Sequence, residues 1–363
     1  MSKYSKIYFI GIGGIGMSAI ARYYKFKGYP VAGYDRTPSD LTHALEKEGI
    51  DIHYKDDPDY IPKDVASTLV VYTPAIPADL QELVYVREHG YTLVKRSRML
   101  GELAEGQTCL AVAGTHGKTT TSTLVAHILT ESGKGCSAFL GGISKNYDTN
   151  LLTSHTPTIV AEADEFDRSF LQLHPAIAAI TAMDADHLDI YGTLEEYRKA
   201  FKAFASQVSR TLIVKLGLDI TAEDTNARIL HYSYDNPDAD YHAANPRPDE
   251  VGHYIFDLVY PGGVIGNIRV GIPGWVNVEN SVAAAAVCLC HGVAPEAIKE
   301  AIGTYSGVRR RLDVHLNTPH LSYIDDYAHH PKELASAISS MRGIFPGRKL
   351  TAIFQPCLLY TSD

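Results

Sequence analysis

Cysteine is scarce. The five cysteines, Cys109, Cys136, Cys288, Cys290 and Cys357, include no CxxC pair, and their odd number suits a reducing compartment rather than a disulfide framework. Cys288 and Cys290, inside the apolar run AAAAVCLC, are expected to be buried core thiols. Positive charge is also short: 33 Lys and Arg stand against 42 Asp and Glu, a net charge of -9. That balance excludes non-specific nucleic-acid binding, which needs clustered cations. No apolar run reaches the ~18 residues of a membrane span, and no charged-then-apolar leader opens the sequence. Cytoplasm is therefore the expected compartment, without membrane insertion. Internal repeats and low-complexity segments are missing as well. Nothing in the sequence addresses oligomeric state.

What is there is the composition of a globular protein, 45% hydrophobic and 21% charged. At 363 residues it is too long for one ordinary core. KIYFI (6–10), PVAGYD, DVASTLVVYTPAI and GYTLVKRS alternate with helical segments, as in a parallel, doubly wound α/β unit that ends near Arg98. A second α/β unit opens at TCLAVAG and carries strands in TPTIVAEAD and AIAAITAMD. The polar stretch YDNPDADYHAANPRPDE then separates it from an antiparallel hairpin, HYIFDLVY and VIGNIRVGIPG, and a helix from Asn277 to His291. A third unit begins near Arg309. Its expected strands are LSYIDDYAHHP and KLTAIFQP, with a helix between them, and one strand–helix–strand cannot cover a sheet on both faces. The expected division is 1–98, 99–308 and 309–363.

Two glycine-rich loops follow strands. Gly11, Gly13 and Gly16 match G-x-G-x-x-G, with Asp35 about 20 residues on. Such a loop lets backbone N–H groups and a helix N-terminus approach an anion. NAD, the diphosphate of a UDP-sugar, or a ligand-free tight turn all satisfy it. GTHGKTTT (114–121) is more specific. Lys118 can reach β- and γ-phosphate oxygens and Thr119 can hold Mg²⁺, although Val112 stands where the usual loop has its first glycine. VAEADE supplies Glu162, Asp164 and Glu165, and AMDADHLD supplies Asp184, Asp186, His187 and Asp189. Both lie where parallel strands present ligands. DDYAHHP (325–331) packs acids and histidines too closely for all to converge on one metal from a strand, so an active-site loop is expected. Arg309, Arg310 and Arg311 mark either a charged hinge or a phosphate contact.

Taken in order and at their spacing, GIGGIGM, GTHGKTT, EADE, DH-x-D and DDYAHHP resemble the Mur ligases, from about residue 6 to Pro356. The resemblance implies a three-domain α/β architecture: a Rossmann-like first domain, a P-loop ATPase centre and a Rossmann-like third domain. It implies a peptidoglycan-precursor ligase that uses ATP and Mg²⁺, with UDP-N-acetylmuramate and L-alanine as substrates. The ATP γ-phosphate passes to the muramyl carboxylate, and the amine of L-alanine displaces phosphate from the acyl phosphate. By the same resemblance Gly11, Gly13, Gly14, Ile15, Gly16, Asp35, Thr73, Pro74, Ala75, Ile76 and Arg311 hold the UDP-sugar. Gly114, Thr115, His116, Gly117, Lys118, Thr119, Thr120, Asn277, Asn280 and Arg310 hold ATP. Thr119, Glu162 and His187 take Mg²⁺, and Asp326 and His329 line the alanine side.

Departures from the family pattern are Val276 for a His, Leu312 for a Phe, and Phe201 where several sister ligases carry a carbamylated Lys. The alanine-adding branch commonly lacks that Lys. The family continues for roughly another half-domain, where this sequence reads QPCLLYTSD and stops. An incomplete third domain, non-native final residues and uncertain turnover are the expectation. Three alternatives remain: a recycling ligase that adds a tripeptide to the same sugar nucleotide, a non-catalytic nucleotide-binding chain, and an NAD-dependent dehydrogenase. The last leaves Lys118, Glu162 and His187 without a role.

Overall fold

The computed structural model describes residues 4–184, 188–250, 252–329 and 331–355. The first unit is a five-stranded sheet of β1 (Lys6–Ile10), β2 (Val31–Tyr34), β3 (Asp51–His53), β4 (Thr68–Tyr72) and β5 (Thr92–Lys95), in the order β3-β2-β1-β4-β5 and parallel throughout. The order reverses beside β1, so the crevice at its carboxyl end falls on the first glycine loop. Helices α1 (Ile15–Phe26), α2 (Asp40–Lys47), α3 (Gln81–Glu88) and α4 (Arg96–Ala104) complete the unit.

The second sheet has ten strands: β6 (Thr108–Ala113), β7 (Ser137–Ser144), β8 (Thr149–Leu152), β9 (Thr158–Ala163), β10 (Ile177–Ile180), β11 (Thr211–Lys215), β12 (Arg228–Ser233), β13 (Tyr241–Pro248), β14 (His253–Tyr260) and β15 (Gly263–Pro273). Strands β7, β9, β6, β10, β11, β12 and β13 run parallel, and β8, β14 and β15 join antiparallel. Helices α5 (Lys118–Glu131) and α8 (Val276–Cys290) pack together on one face with α9 (Pro295–Thr304); α6 (Leu188–Tyr191) and α7 (Leu194–Ser206) lie between β10 and β11 in sequence. The third unit is the hairpin of β16 (Asp313–Asn317) and β17 (Ser322–Asp325) with α10 (Pro331–Ile344). None of the described helices is long and apolar enough to cross a membrane.

Two expectations need correction. The polar stretch before the hairpin, to which no strand is assigned from sequence, contains β13. Tyr241 and Ala243 turn inward there in alternation, and a bulge with Asn245 at φ 53° absorbs the residues that read as breakers. Residues 349–355 form no strand, since no neighbouring backbone pairs with them; Pro356 and the final residues, Cys357 included, lie outside the described part. Cys288 is a buried thiol as expected, Cys290 is only half-buried against expectation, and Cys109 and Cys136 are buried as well.

The expected break at residue 98 is not a break in packing. Ile7, Phe9 and Ile20 share one hydrophobic cluster with Phe139, Leu151 and Ala161 of the second sheet. Buried Arg22 on α1 donates to Glu48 and to Asn150 of β8, and Asn150 Nδ2 returns hydrogen bonds to Ile15 O (2.6 Å) and Ser18 Oγ (2.9 Å). Helix α4 closes the seam: a Cβ on Gly101 would overlap Gln172 O, so only glycine permits this approach.

Inside the first unit a fully buried carboxylate, Glu82, meets Tyr8 and His53. The Tyr8 hydroxyl stands 2.7 Å from Glu82 Oε2 and 2.6 Å from His53 Nε2, while His53 Nδ1 faces Lys55 O at 2.8 Å. Lys55 O fixes a proton on Nδ1, and Glu82 accepts from the Tyr8 hydroxyl and from Asp57 N. Burial pushes the Glu82 pKa up to about 7 and pushes that of His53 down. A raised acid favours folding while protonated, so its contribution is complete below about pH 4.5 and is lost as pH rises through about 7. Glu82→Gln keeps the shape and removes the titration. Urea unfolding at pH 5 and pH 8 should show the variant gaining on the parent at the higher pH, by up to about 3 kcal/mol. An equal gap at both pH values would contradict the buried acid.

Candidate active site

The first loop is built as its glycines require. Gly11 adopts φ 85°, and a Cβ there would lie 3.2 Å from Thr73 and 3.3 Å from Ile76. The turn carrying Pro74 and Ala75, both exposed, is thus brought against the loop. Gly14 caps α1 without a side-chain partner, and Ile15, the first helical residue, points outward. Asp35 accepts from Gly13 N at 2.7 Å and from Thr37 N at 3.3 Å. It therefore braces the loop itself. A cation that the sequence reading missed, Arg96, lies across the loop: a Cβ on Gly16 would sit 2.7 Å from Arg96 Nη1.

The second loop joins β6 to α5. Gly114 (φ 132°) and Gly117 (φ 80°) take backbone conformations that other residues rarely adopt. A Cβ on Gly114 would overlap Thr181 Oγ1, and one on Gly117 would lie 2.8 Å from Asn280 Oδ1. Thr115 donates to Asp184 O at 3.0 Å and lies 3.1 Å from the Tyr197 hydroxyl. Thr120 is buried, and its carbonyl accepts from Tyr305. Lys118 Nζ is 2.9 and 2.8 Å from the two oxygens of Glu165, whose side chain is 1% exposed. Burial opposes the Lys118 charge, but Glu165, Asp164 and Glu162 together outweigh it and hold its pKa above the ordinary lysine value.

Thr119 Oγ1 donates to Glu162 Oε1 at 3.0 Å, and Gly141 N donates to Glu162 Oε2 at 3.1 Å. Burial raises the pKa of this carboxyl against the pull of Lys118. Two hard oxygen donors, one of them a carboxylate that ionises more readily beside a cation, suit Mg²⁺, which takes few protein ligands and completes its shell with phosphates and water. Among the described residues no group of three His, Cys, Asp or Glu could hold a metal. His187, the third expected ligand, lies outside the described residues, as does Asp186.

The expected adenine contacts sit at the start of α8. Asn277 Nδ2 donates to Pro273 O (2.6 Å), and Asn280 Nδ2 donates to Asn277 Oδ1 (3.1 Å). Asn280 Oδ1 also accepts from Thr121 Oγ1 at 3.4 Å, so the pair is anchored to the phosphate loop.

The third unit reaches that loop through a residue the sequence reading did not single out, Glu333 on α10. Its Oε1 faces His116 Nδ1 at 3.4 Å and Arg311 Nη1 at 3.9 Å, and its Oε2 accepts from His329 N at 3.2 Å. Burial opposes its ionisation, but His116 and Arg311 overcome this and hold its pKa down at about 2. The other edge of the His116 ring faces Asp184 at 3.3 Å. Arg310 and Arg311 both stack on Tyr327, and Arg310 lies 3.7 Å from Asp325. Positive φ at Arg310 (62°) and Leu312 (44°) marks a sharp junction there. Asp326 accepts from Leu312 N (2.7 Å) and Ala328 N (2.8 Å), and His329 Nδ1 faces Tyr327 O at 3.1 Å. In this arrangement both residues brace the junction. Phe201 is core, packed at 5.2 Å between centroids against each of Phe170 and Tyr197.

Two family models match this sequence, the Mur ligase catalytic domain over residues 6–108 and the Mur ligase middle domain over 112–288. Over 365 aligned residues the sequence is 49% identical to a UDP-N-acetylmuramate–L-alanine ligase of Parabacteroides distasonis, covering 99% of this chain and 79% of that protein. The chain belongs to the Mur ligase family. The protein of the same name from Porphyromonas gingivalis is also 49% identical, over 97% of this chain and 79% of its own length. The crystal structure of the UDP-N-acetylmuramate–alanine ligase of Thermotoga maritima superposes with a TM-score of 0.85 at 29% identity, covering 97% of this chain and 80% of that one. Mur ligase membership agrees with the ordered motifs and with the two α/β units. It leaves the dehydrogenase reading of the first loop without support.

Proposed function

We infer that the chain is an ATP-dependent ligase that joins L-alanine to the carboxylate of UDP-N-acetylmuramate. The observation that carries this reading is the charged cluster at the second loop, Lys118 on Glu165 beside Thr119 on Glu162. It stands on a fold and sequence shared over 79% of their length with ligases of that name. A carboxylate is a poor electrophile, and phosphorylation provides it with a leaving group. The work is mainly positioning and charge neutralisation.

Each residue has a place in that work. Gly114–Thr120 cradle the triphosphate, and Lys118 turns from Glu165 to the transferring phosphate. Asn277 and Asn280 lie where the adenine rests against α8. Thr119 and Glu162 would hold Mg²⁺, with His187 as the expected partner, and a bound ion there would supply neutralisation of phosphate and carboxylate charge. The first loop, from Gly11 to Gly16, holds the UDP-sugar with Thr73–Ile76 beside it. His116, Glu333, Arg311 and His329 connect the third unit to the ATP loop, as closure on substrates requires.

Calorimetric titration of the whole chain tests the first loop without depending on turnover. UDP-N-acetylmuramate should bind and NAD⁺ should not. Phosphate release that requires ATP, UDP-N-acetylmuramate and L-alanine together is the expected activity. Release with the tripeptide L-alanyl-γ-D-glutamyl-meso-diaminopimelate and not with L-alanine would replace this reading by the recycling one. Binding of NAD⁺ alone would end it.

A further inference from the structure

The first loop contains no lysine or arginine from Gly11 to Ser18. Part of its backbone is already engaged: Gly13 N donates to Asp35 and Gly14 N to Gly11 O. The Asp35 carboxylate adds a negative charge beside it. A diphosphate arriving here therefore needs a cation from elsewhere in the fold. Arg96 is placed to supply it. Its guanidinium lies against the first turn of α1, where the absence of a side chain at Gly16 leaves it room. Its partner in this structure is distant: Asp164 Oδ2 stands 3.7 Å from Nη2, and the Arg96 side chain keeps 21% of its exposure.

The backbone of Arg96 is held firmly. It is the first residue of α4, whose Gly101 packs directly on the carbonyl of Gln172. The preceding Lys95 lies 3.4 Å from Asp167. The segment from Asp164 to Gln172 thus fixes α4 next to the carboxylates that serve Lys118. Asp164 directly precedes Glu165, whose carboxylate stands 2.8 Å from Lys118 Nζ.

We propose that Arg96 binds the diphosphate of the ligand held by the first glycine loop and, through its exchange with Asp164, links occupancy of that loop to the ATP site. This rests on the reading that the loop holds a uridine diphosphate sugar. An arriving diphosphate is a stronger partner for the guanidinium than a carboxylate at 3.7 Å. Arg96 then swings from Asp164, and the released Asp164 charge strengthens the field on Lys118.

The test uses the whole chain and calorimetry with UDP-N-acetylmuramate, UDP, uridine and ATP. Arg96→Ala should weaken the two diphosphates at least ~20-fold, a charge-assisted contact's typical worth, leave uridine within about two-fold, and abolish the dependence of ATP affinity on bound UDP that the parent chain shows. Arg96→Lys should recover part of the loss, because the charge returns without the planar fork. Asp164→Asn, which frees the guanidinium, should tighten UDP several-fold. Equal affinity of Arg96→Ala and the parent chain for UDP overturns the assignment. So does a loss that extends to uridine with a lowered melting temperature, the signature of a strut between α4 and the loop. Unchanged or weaker UDP binding by Asp164→Asn removes the exchange between Arg96 and Asp164, and a parent chain whose ATP affinity is the same with and without UDP removes the link to the ATP site. Failure of the unsubstituted chain to bind UDP-N-acetylmuramate overturns the loop reading and the assignment of Arg96 with it.

Discussion

Lys118→Ala is expected to lower ATP-dependent phosphate release by on the order of 10³-fold or more and to destabilise the protein even without nucleotide. The two effects have one cause. Lys118 is the charged partner of Glu165, which is nearly inaccessible to water. Removing one member of a buried pair strands the other, at a cost of about 3–5 kcal/mol. Glu165 can relieve part of this by taking up a proton, since burial already raises its pKa. The double change Lys118→Ala with Glu165→Gln leaves no stranded charge. It should recover most of the stability and none of the turnover. Urea unfolding beside a phosphate-release assay separates the outcomes. A single variant as stable as the parent would show that Glu165 does not depend on Lys118.

Glu162→Gln is expected to reverse that pattern. The amide keeps the shape and can still accept from Thr119 or from Gly141 N but not from both, so the fold gives up one hydrogen bond while it escapes the burial of a carboxylate. The raised pKa of Glu162 means that its ionisation costs stability as pH rises, and the variant should be relatively more stable at alkaline pH. The apparent affinity for Mg²⁺ in nucleotide binding should nonetheless fall by about ten-fold or more, because an anionic oxygen has been lost. Gly141→Ala reaches the same function by another route. A Cβ on Gly141 would overlap the Glu162 carboxylate, forcing it away from Thr119. Both Mg²⁺ dependence and stability should then fall, the latter by about 1–3 kcal/mol. Titrating Mg²⁺ against binding of a fluorescent ATP analogue reads the first quantity, and thermal unfolding reads the second. Unaltered Mg²⁺ dependence in both variants would remove Glu162 from the metal site.

The glycine loops were legible because they depend on local geometry. Gly11, Gly114 and Gly117 adopt positive φ, a requirement written in the residue type. Lys118, Thr119 and Glu162 were legible from strand-to-helix position, since carboxyl ends of parallel strands converge. Strand β13 was not. Its Asn and Pro residues read as breakers, and only pairing with β12 and β14 made the segment a strand. Arg96 and Glu333 were hidden for a different reason. Each is an ordinary charged residue at the start of a helix. Arg96 acquires meaning because Gly16, distant in sequence, lies under its guanidinium. Glu333 does so because His116 and Arg311 face it.

By itself the sequence determined where the two glycine loops fall, the order of the α/β units and the family, because backbone conformation and strand–helix alternation are encoded over short spans. Only the tertiary structure decided which charges meet. The pairing of Lys118 with Glu165, of Arg96 with the first loop and of Glu333 with His116 joins residues from separate segments. The sheet order and a shared core bring them within a few ångströms, where electrostatic energy, steep in distance and sensitive to burial, assigns each its role.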